Sequence, residues 1–117
     1  VLVDELPVRA CLTLAGACDG AEVRTVEGLS GPDADRLRAA FSREGALQCG
    51  FCTPGMLIAG YDLVRRRTEL SREDLCLAMA GNICRCTGYN GIIRAIAAAT
   101  TEGIQSDITA LAAAHQS

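Results

Sequence analysis

Four of the seven cysteines fall in two tight pairs, Cys49-x2-Cys52 in "QCGFCTPGM" and Cys84-x-Cys86 in "GNICRCTGY", with 31 residues between them. Thiols at such spacing can form disulfides, hold a metal or act as a redox couple. The odd cysteine count argues against a disulfide framework. So does the N-terminal "VLVDELPVRACL", which lacks the basic region and long apolar segment of an export signal. The expected compartment is the cytoplasm, where thiols stay reduced, and metal ligation becomes the first hypothesis. Four thiolates converging from two loops suit zinc or an iron–sulfur cluster. The first pair has the spacing of structural zinc. The second is unusually short for a zinc corner, whereas a two-iron cluster divides its ligands between two metals and tolerates mixed spacings. Spacing leaves both open. A thioredoxin-like redox pair would follow a strand in a βαβ unit, and no such pattern precedes Cys49.

The elements that must carry these pairs are mostly helical. "PDADRLRAAFSREG" (32–45) opens on Pro32 and acids suited to a first turn, places Leu37 and Phe41 on one face and can end at Gly45. "TPGMLIAGYDLVRRR" (53–67) predicts a helix with Thr53 as N-cap, Pro54 at the first helical position and three arginines at its C-terminal end. Ser71-x-x-Asp74 resembles a capping box for a third helix. "GIIRAIAAATTEG" (91–103) predicts a fourth, with Ile92, Ile96 and Thr100 in a stripe. The closing "SDITALAAAHQS" fits a short helix or a tail docked on a partner. Each cysteine pair thus sits in the glycine-rich approach to a helix, with Gly50, Gly55, Gly81, Gly88 and Gly91 nearby. There the helix dipole and free N–H groups favour thiolate. Residues 1–28 are β-rich: "VLV", "VRACLTL" and "AEVRTVEG" are strand candidates, and "DELP" is a turn.

Composition narrows the classes further. The 117 residues are 50% hydrophobic with a net charge of −3, which suits one modest domain and gives no electrostatic reason to bind nucleic acid. Aromatic residues at 3% leave little for base stacking. No apolar run is long enough to span a membrane. No Ser/His/Asp or paired-carboxylate arrangement stands out, so no substrate chemistry is expected on this chain.

The two cysteine motifs, over roughly residues 29–100, closely resemble the α-helical [2Fe–2S] domain of the molybdenum hydroxylases, the xanthine dehydrogenase, aldehyde oxidoreductase and carbon monoxide dehydrogenase family. The resemblance implies a mainly α fold, a four-helix [2Fe–2S]-binding bundle (29–103). It would follow the C-terminal remnant of a β-grasp plant-type ferredoxin domain (1–28) and precede a C-terminal tail (104–117). It implies that Cys49, Cys52, Cys84 and Cys86 ligate one cluster. Gln48 and Cys86 would touch the pterin of molybdopterin on a large partner subunit, and electrons would pass toward FAD on a medium subunit. Cys11 would be the fourth ligand of a second [2Fe–2S] cluster whose other three ligands lie upstream of Val1.

The remaining residues carry plainer expectations. Cys76, among Leu75, Leu77 and Met79, is expected in the core, and Cys18 in a loop without chemistry. His115 is expected on an exposed tail, Arg85 toward solvent or a partner, and Arg65–Arg67 at a solvated helix end. The rival reading from another class is a structural zinc-binding interaction module, which needs the same four cysteines and no redox activity. A third is a remnant that folds but passes no electrons onward.

Overall fold

The computed structural model describes residues 1–116. It contains three short strands, β1 (Leu2–Val3), β2 (Leu6–Pro7) and β3 (Val23–Arg24), and four helices, α1 (Pro32–Arg43), α2 (Thr53–Arg65), α3 (Arg72–Met79) and α4 (Asn90–His115). The expected mainly helical architecture behind a small β segment is what forms. The strands make an antiparallel sheet in the order β2-β1-β3, with Leu2 opposite Pro7 and Arg24, and Val3 opposite Leu6 and Val23. Asp4 and Glu5 form the "DELP" turn in the left-handed region, at φ 46° and 68°, as a two-residue hairpin of primed type requires.

The strand expected over "VRACLTL" does not form. Ala10–Leu12 is a 3-10 turn, and the Thr13 hydroxyl donates to Arg9 O at 2.8 Å. Arg9, just before that turn, reaches to the carbonyl of Gly81.

Local chemistry explains the helix ends. Asp33 and Asp35 occupy the first turn of α1 behind Pro32. At its other end Gly45 takes φ 61°, and the Ala46 N–H donates to Phe41 O at 2.9 Å, closing the helix in a Schellman-type turn. Ser71 Oγ accepts the Asp74 N–H at 3.1 Å, so the expected cap of α3 is present. Thr53, by contrast, is not a cap. Cys52 already has helical dihedrals (φ −78°, ψ −16°), so Thr53 becomes the first helical residue, with its hydroxyl buried and unpartnered. Nor does α4 stop at Gly103. That glycine is buried mid-helix because a Cβ there would stand 2.8 Å from Arg67 Nη1, and the helix runs on to His115.

α4 lies across α1 and α2, and Leu37, Phe41, Met56, Val64, Ile92 and Ile96 fill the space between them, each at most 2% exposed. Burying each such side chain stabilises by about 1.5–3 kcal/mol. Leu2, Leu29, Ala34 and Ile58 form a second, smaller cluster that seats the β segment on α1 and α2. Two expectations fail on helix phase and on charge. In α3 the buried stripe is Leu75 and Met79, so Cys76 and Leu77 rotate outward and Cys76 is exposed rather than in the core. The arginines ending α2 are tied inward: Arg65 pairs with Asp62 and Glu5, Arg66 with Asp62, and Arg67 with Asp33 and Asp107. Asp62, only 6% exposed, needs those cations to be buried at all.

Candidate metal centre

Two loops supply the paired cysteines, one between α1 and α2 and the other between α3 and α4. Gly55, in the first turn of α2, lets them approach: a Cβ there would stand 3.0 Å from Asn82 Oδ1 in the second loop. Cys84 is buried at 8% exposure, Cys52 is half-buried, and Cys49 and Cys86 are exposed. The arrangement is a thiol group with one covered side and one open edge.

Thiols of the two loops act on each other, Cys52 with Cys84 and Cys49 with Cys86. Burial first, and then the Cys84 and Cys49 thiols, push the Cys52 thiol above its ordinary value. The Cys49 thiol, above all, pushes Cys86 up. Cys84 moves the other way, to about 7, chiefly through the Thr87 hydroxyl and then the N–H groups of Thr87 and Cys86. Cys84 is therefore more ready to ionise than Cys52 or Cys86, which resist adding further negative charge. A bound cation relieves that repulsion, the usual linkage between thiolate formation and metal binding. The Phe51 N–H points at Cys49 Sγ (3.5 Å) and the Thr87 N–H at Cys84 Sγ (3.4 Å). The interactions join Cys52 to Cys84 and Cys49 to Cys86, one residue from each loop in each pair. Among the described residues, no three His, Cys, Asp or Glu side chains are placed so that they could hold a metal ion together.

The four cysteines that the sequence singles out are thus brought together. Gln48 is exposed, immediately before Cys49, and Arg85 is exposed between Cys84 and Cys86. Phe51 at 94% and Ile83 at 81% exposure flank the thiols on the two loops. Cys11 is not among the groups that act on the four. It lies exposed on the rim of a groove of about 740 Å³, lined also by Arg9, Phe51, Gly55, Gly81 and Asn82. Cys18 is half-buried, with its Sγ 3.8 Å from Leu14 O, and His115 is exposed.

The sequence gives no sign of a role beside the thiols for Thr87 and Tyr89, and marks Thr53 only as a helix cap. Thr87 Oγ1 lies 3.0 Å from Cys84 Sγ, and the Tyr89 hydroxyl accepts the Cys84 N–H at 2.9 Å. Thr53, next to Cys52, holds the only buried side-chain oxygen or nitrogen without a partner among the described residues. The available signal was a threonine directly after a cysteine in both loops.

A four-thiol donor set fits an iron–sulfur cluster, with N–H groups already directed at sulfur and one orphaned hydroxyl beside Cys52. No helix among the described residues is long and apolar enough to cross a membrane.

Comparison with known proteins finds relatives of this chain. Residues 25–97 match the family described as the [2Fe-2S] binding domain. The chain is 46% identical over 94 residues to a probable xanthine dehydrogenase subunit of Bacillus subtilis, covering 80% of this chain and 54% of that protein. It is 46% identical over 96 residues to the nicotine 6-hydroxylase small subunit of Paenarthrobacter nicotinovorans (82% and 58%). To the xanthine dehydrogenase iron-sulfur-binding subunit of Escherichia coli O157:H7 it is 39% identical over 99 residues (82% and 62%). The chain therefore spans little more than half the length of these relatives. Among solved structures, quinoline 2-oxidoreductase from Pseudomonas putida 86 superposes with a TM-score of 0.75 at 44% identity, over 89% of this chain and 66% of that one.

Proposed function

Because the chain belongs to the [2Fe–2S] binding domain family, we propose that it is the electron-transfer iron–sulfur part of a molybdopterin-dependent hydroxylase, standing between a molybdenum centre and FAD on large and medium partner subunits. The observation that carries this reading is the mutual approach of Cys49, Cys52, Cys84 and Cys86 from two loops. These four would hold the cluster, which when bound supplies a one-electron acceptor and donor. The mixed spacing of the two cysteine pairs suits a two-iron cluster, which divides its ligands between two metals, and the match to a [2Fe–2S] binding domain favours that over zinc.

The chain's own residues suit that task in three ways. The packed core behind Cys84 keeps water from one side of the thiols and holds both loops rigid, which limits reorganisation when charge changes. The open edge at Cys49 and Cys86 leaves sulfur near the surface, where a partner's redox group can approach. Gln48 and Cys86 are proposed to meet the pterin there, with the exposed Phe51 and Ile83 covered by the same partner, since large apolar side chains of this exposure mark contact surfaces. Cys11 is proposed as a ligand of a second cluster, provided that three further cysteines are supplied elsewhere in the protein. The names of the relatives, xanthine dehydrogenase and nicotine 6-hydroxylase subunits, support the assignment to a multi-subunit oxidoreductase, and the cytoplasm is the proposed compartment.

The test is iron, zinc and acid-labile sulfide analysis with a visible spectrum on anaerobically purified protein, beside Cys52→Ser and Cys84→Ser. Two irons and two sulfides lost in both variants, with a brown colour bleached by dithionite in the parent, support the reading. One zinc and no colour would leave a structural zinc module instead. Gln48→Ala should retain its iron yet slow reduction of the cluster within the assembled complex, and an unchanged rate would remove Gln48 from the contact.

A further inference from the structure

Three residues of the second cysteine loop close a ring of hydrogen bonds on one sulfur. The Cys84 N–H donates to the Tyr89 hydroxyl oxygen (2.9 Å), the Tyr89 N–H donates to Thr87 Oγ1 (3.2 Å), and Thr87 Oγ1 lies 3.0 Å from Cys84 Sγ. The direction of the last bond follows from the others. A threonine hydroxyl has one hydrogen and two lone pairs. The Tyr89 N–H occupies a lone pair, and a thiolate ligand carries no proton, so the hydroxyl hydrogen must point at sulfur. Each donor in such a chain polarises the next, and the effect is greatest where water is excluded. Cys84 is the buried member of the four.

The ring is built at a cost, which argues that it is not incidental loop geometry. Tyr89 sits at φ 69°, a left-handed conformation that side-chain-bearing residues seldom adopt. That conformation aims its N–H back at Thr87 while its ring folds over to meet the Cys84 N–H. The Thr87 N–H adds a second donor to Cys84 Sγ at 3.4 Å. Cys49, on the other loop, receives the Phe51 N–H at 3.5 Å. Cys84 thus faces a side-chain hydroxyl as well as an N–H.

From this we propose that Thr87 is the positioning residue that sets the reduction potential of the cluster, by donating its hydroxyl hydrogen to the Cys84 sulfur, with Tyr89 clamping it in that orientation. The proposal rests on the cluster reading above. A donor to a ligand sulfur stabilises the more negative, reduced state more than the oxidised one, so removing it lowers the potential.

The experiment is a redox titration of the full-length, cluster-loaded protein, following the spectroscopic signal that Cys84→Ser alters. Thr87→Val keeps the shape and removes the hydroxyl, and should shift the one-electron equilibrium at least tenfold toward the oxidised state, about 59 mV. Thr87→Ser restores the hydroxyl and should return the potential to within threefold of the parent in equilibrium terms. An unchanged potential in fully iron-loaded Thr87→Val would overturn the proposal. So would loss of iron from both Thr87→Val and Thr87→Ala, since the hydroxyl would then serve assembly rather than potential. A parent protein that binds no iron would instead overturn the cluster reading on which it stands.

Discussion

Arg9 donates from Nη2 to the carbonyl oxygen of Gly81 at 2.6 Å, joining residues 72 positions apart. Gly81 opens the loop that carries Cys84 and Cys86, and a Cβ at that position would collide with the same guanidinium. The β segment is thus fastened directly to the candidate metal centre. Arg9→Ala should speed amide hydrogen exchange across residues 81–86 and lower stability by no more than about 1 kcal/mol, since the bond is solvent-exposed. Unchanged exchange would mean that the strut does not hold the loop.

Gly91, in the first turn of α4, faces backbone: a Cβ there would stand 2.8 Å from Glu44 O and 3.2 Å from Gly45 O. Alanine normally stabilises a helix relative to glycine by about 1 kcal/mol. Here the clash should win, and Gly91→Ala should destabilise by about 1–3 kcal/mol in a urea titration. A stabilised variant would show that α4 can shift away from the end of α1 at no cost.

Thr53 offers a prediction of the opposite sign. Its hydroxyl is buried without a partner, so Thr53→Val in the metal-free chain should raise stability by about 1 kcal/mol through removal of an unpaired polar group. If the hydroxyl bonds to the bound cluster, the same variant should lose that advantage once loaded. Thermal melts of both forms make the comparison.

Arg67 sits where α1, α2 and α4 meet, bonded to Asp33, Asp107 and the Val64 carbonyl. The Arg67 guanidinium holds the Asp107 carboxyl below its ordinary value, so the folded state binds that proton more weakly than the unfolded one. The contribution is therefore present above the ordinary carboxylate range and disappears as pH falls through the folded-state value. Melting of the parent should decline on acidification, and Arg67→Ala should melt lower at neutral pH with a shallower decline in acid. Identical pH profiles would show that the pair contributes nothing.

Phe51 and Ile83 are among the most exposed large apolar residues of the chain, one on each cysteine loop. Phe51→Ser and Ile83→Ser should change folding stability by no more than about 0.5 kcal/mol, as surface substitutions do. Their effect should appear in co-purification with a molybdopterin-containing subunit, which the double variant should reduce at least tenfold. Full retention would move the contact surface elsewhere.

The residues at the candidate centre were largely legible in the sequence because their signals are local. Gly45, Pro54 and Gly91 mark helix ends beside the cysteine loops within a few positions, although Gly103 does not end α4. Ile92, Ile96 and Thr100 share one face for the same reason, since helical periodicity alone puts them there.

What escaped depends on partners distant in the chain or on the phase of an element against its neighbours. Cys76 is flanked by apolar residues on either reading, and only the docking of Leu75 and Met79 on the bundle turns it outward. Arg65 and Arg67 look like a solvated helix end until Glu5, Asp33 and Asp107 arrive from three other segments. "VRACLTL" has strand composition, yet Ala10–Leu12 forms a 3-10 turn and Arg9 bonds to Gly81 in a distant loop. The sequence by itself therefore determined the helical frame and the cap at Ser71, which follow from dihedral preference and periodicity, and singled out the four paired thiols by their spacing. The tertiary structure alone decided which thiol is buried and which arginines find carboxylates, because burial and those ion pairs are set by atoms the local chain does not contain.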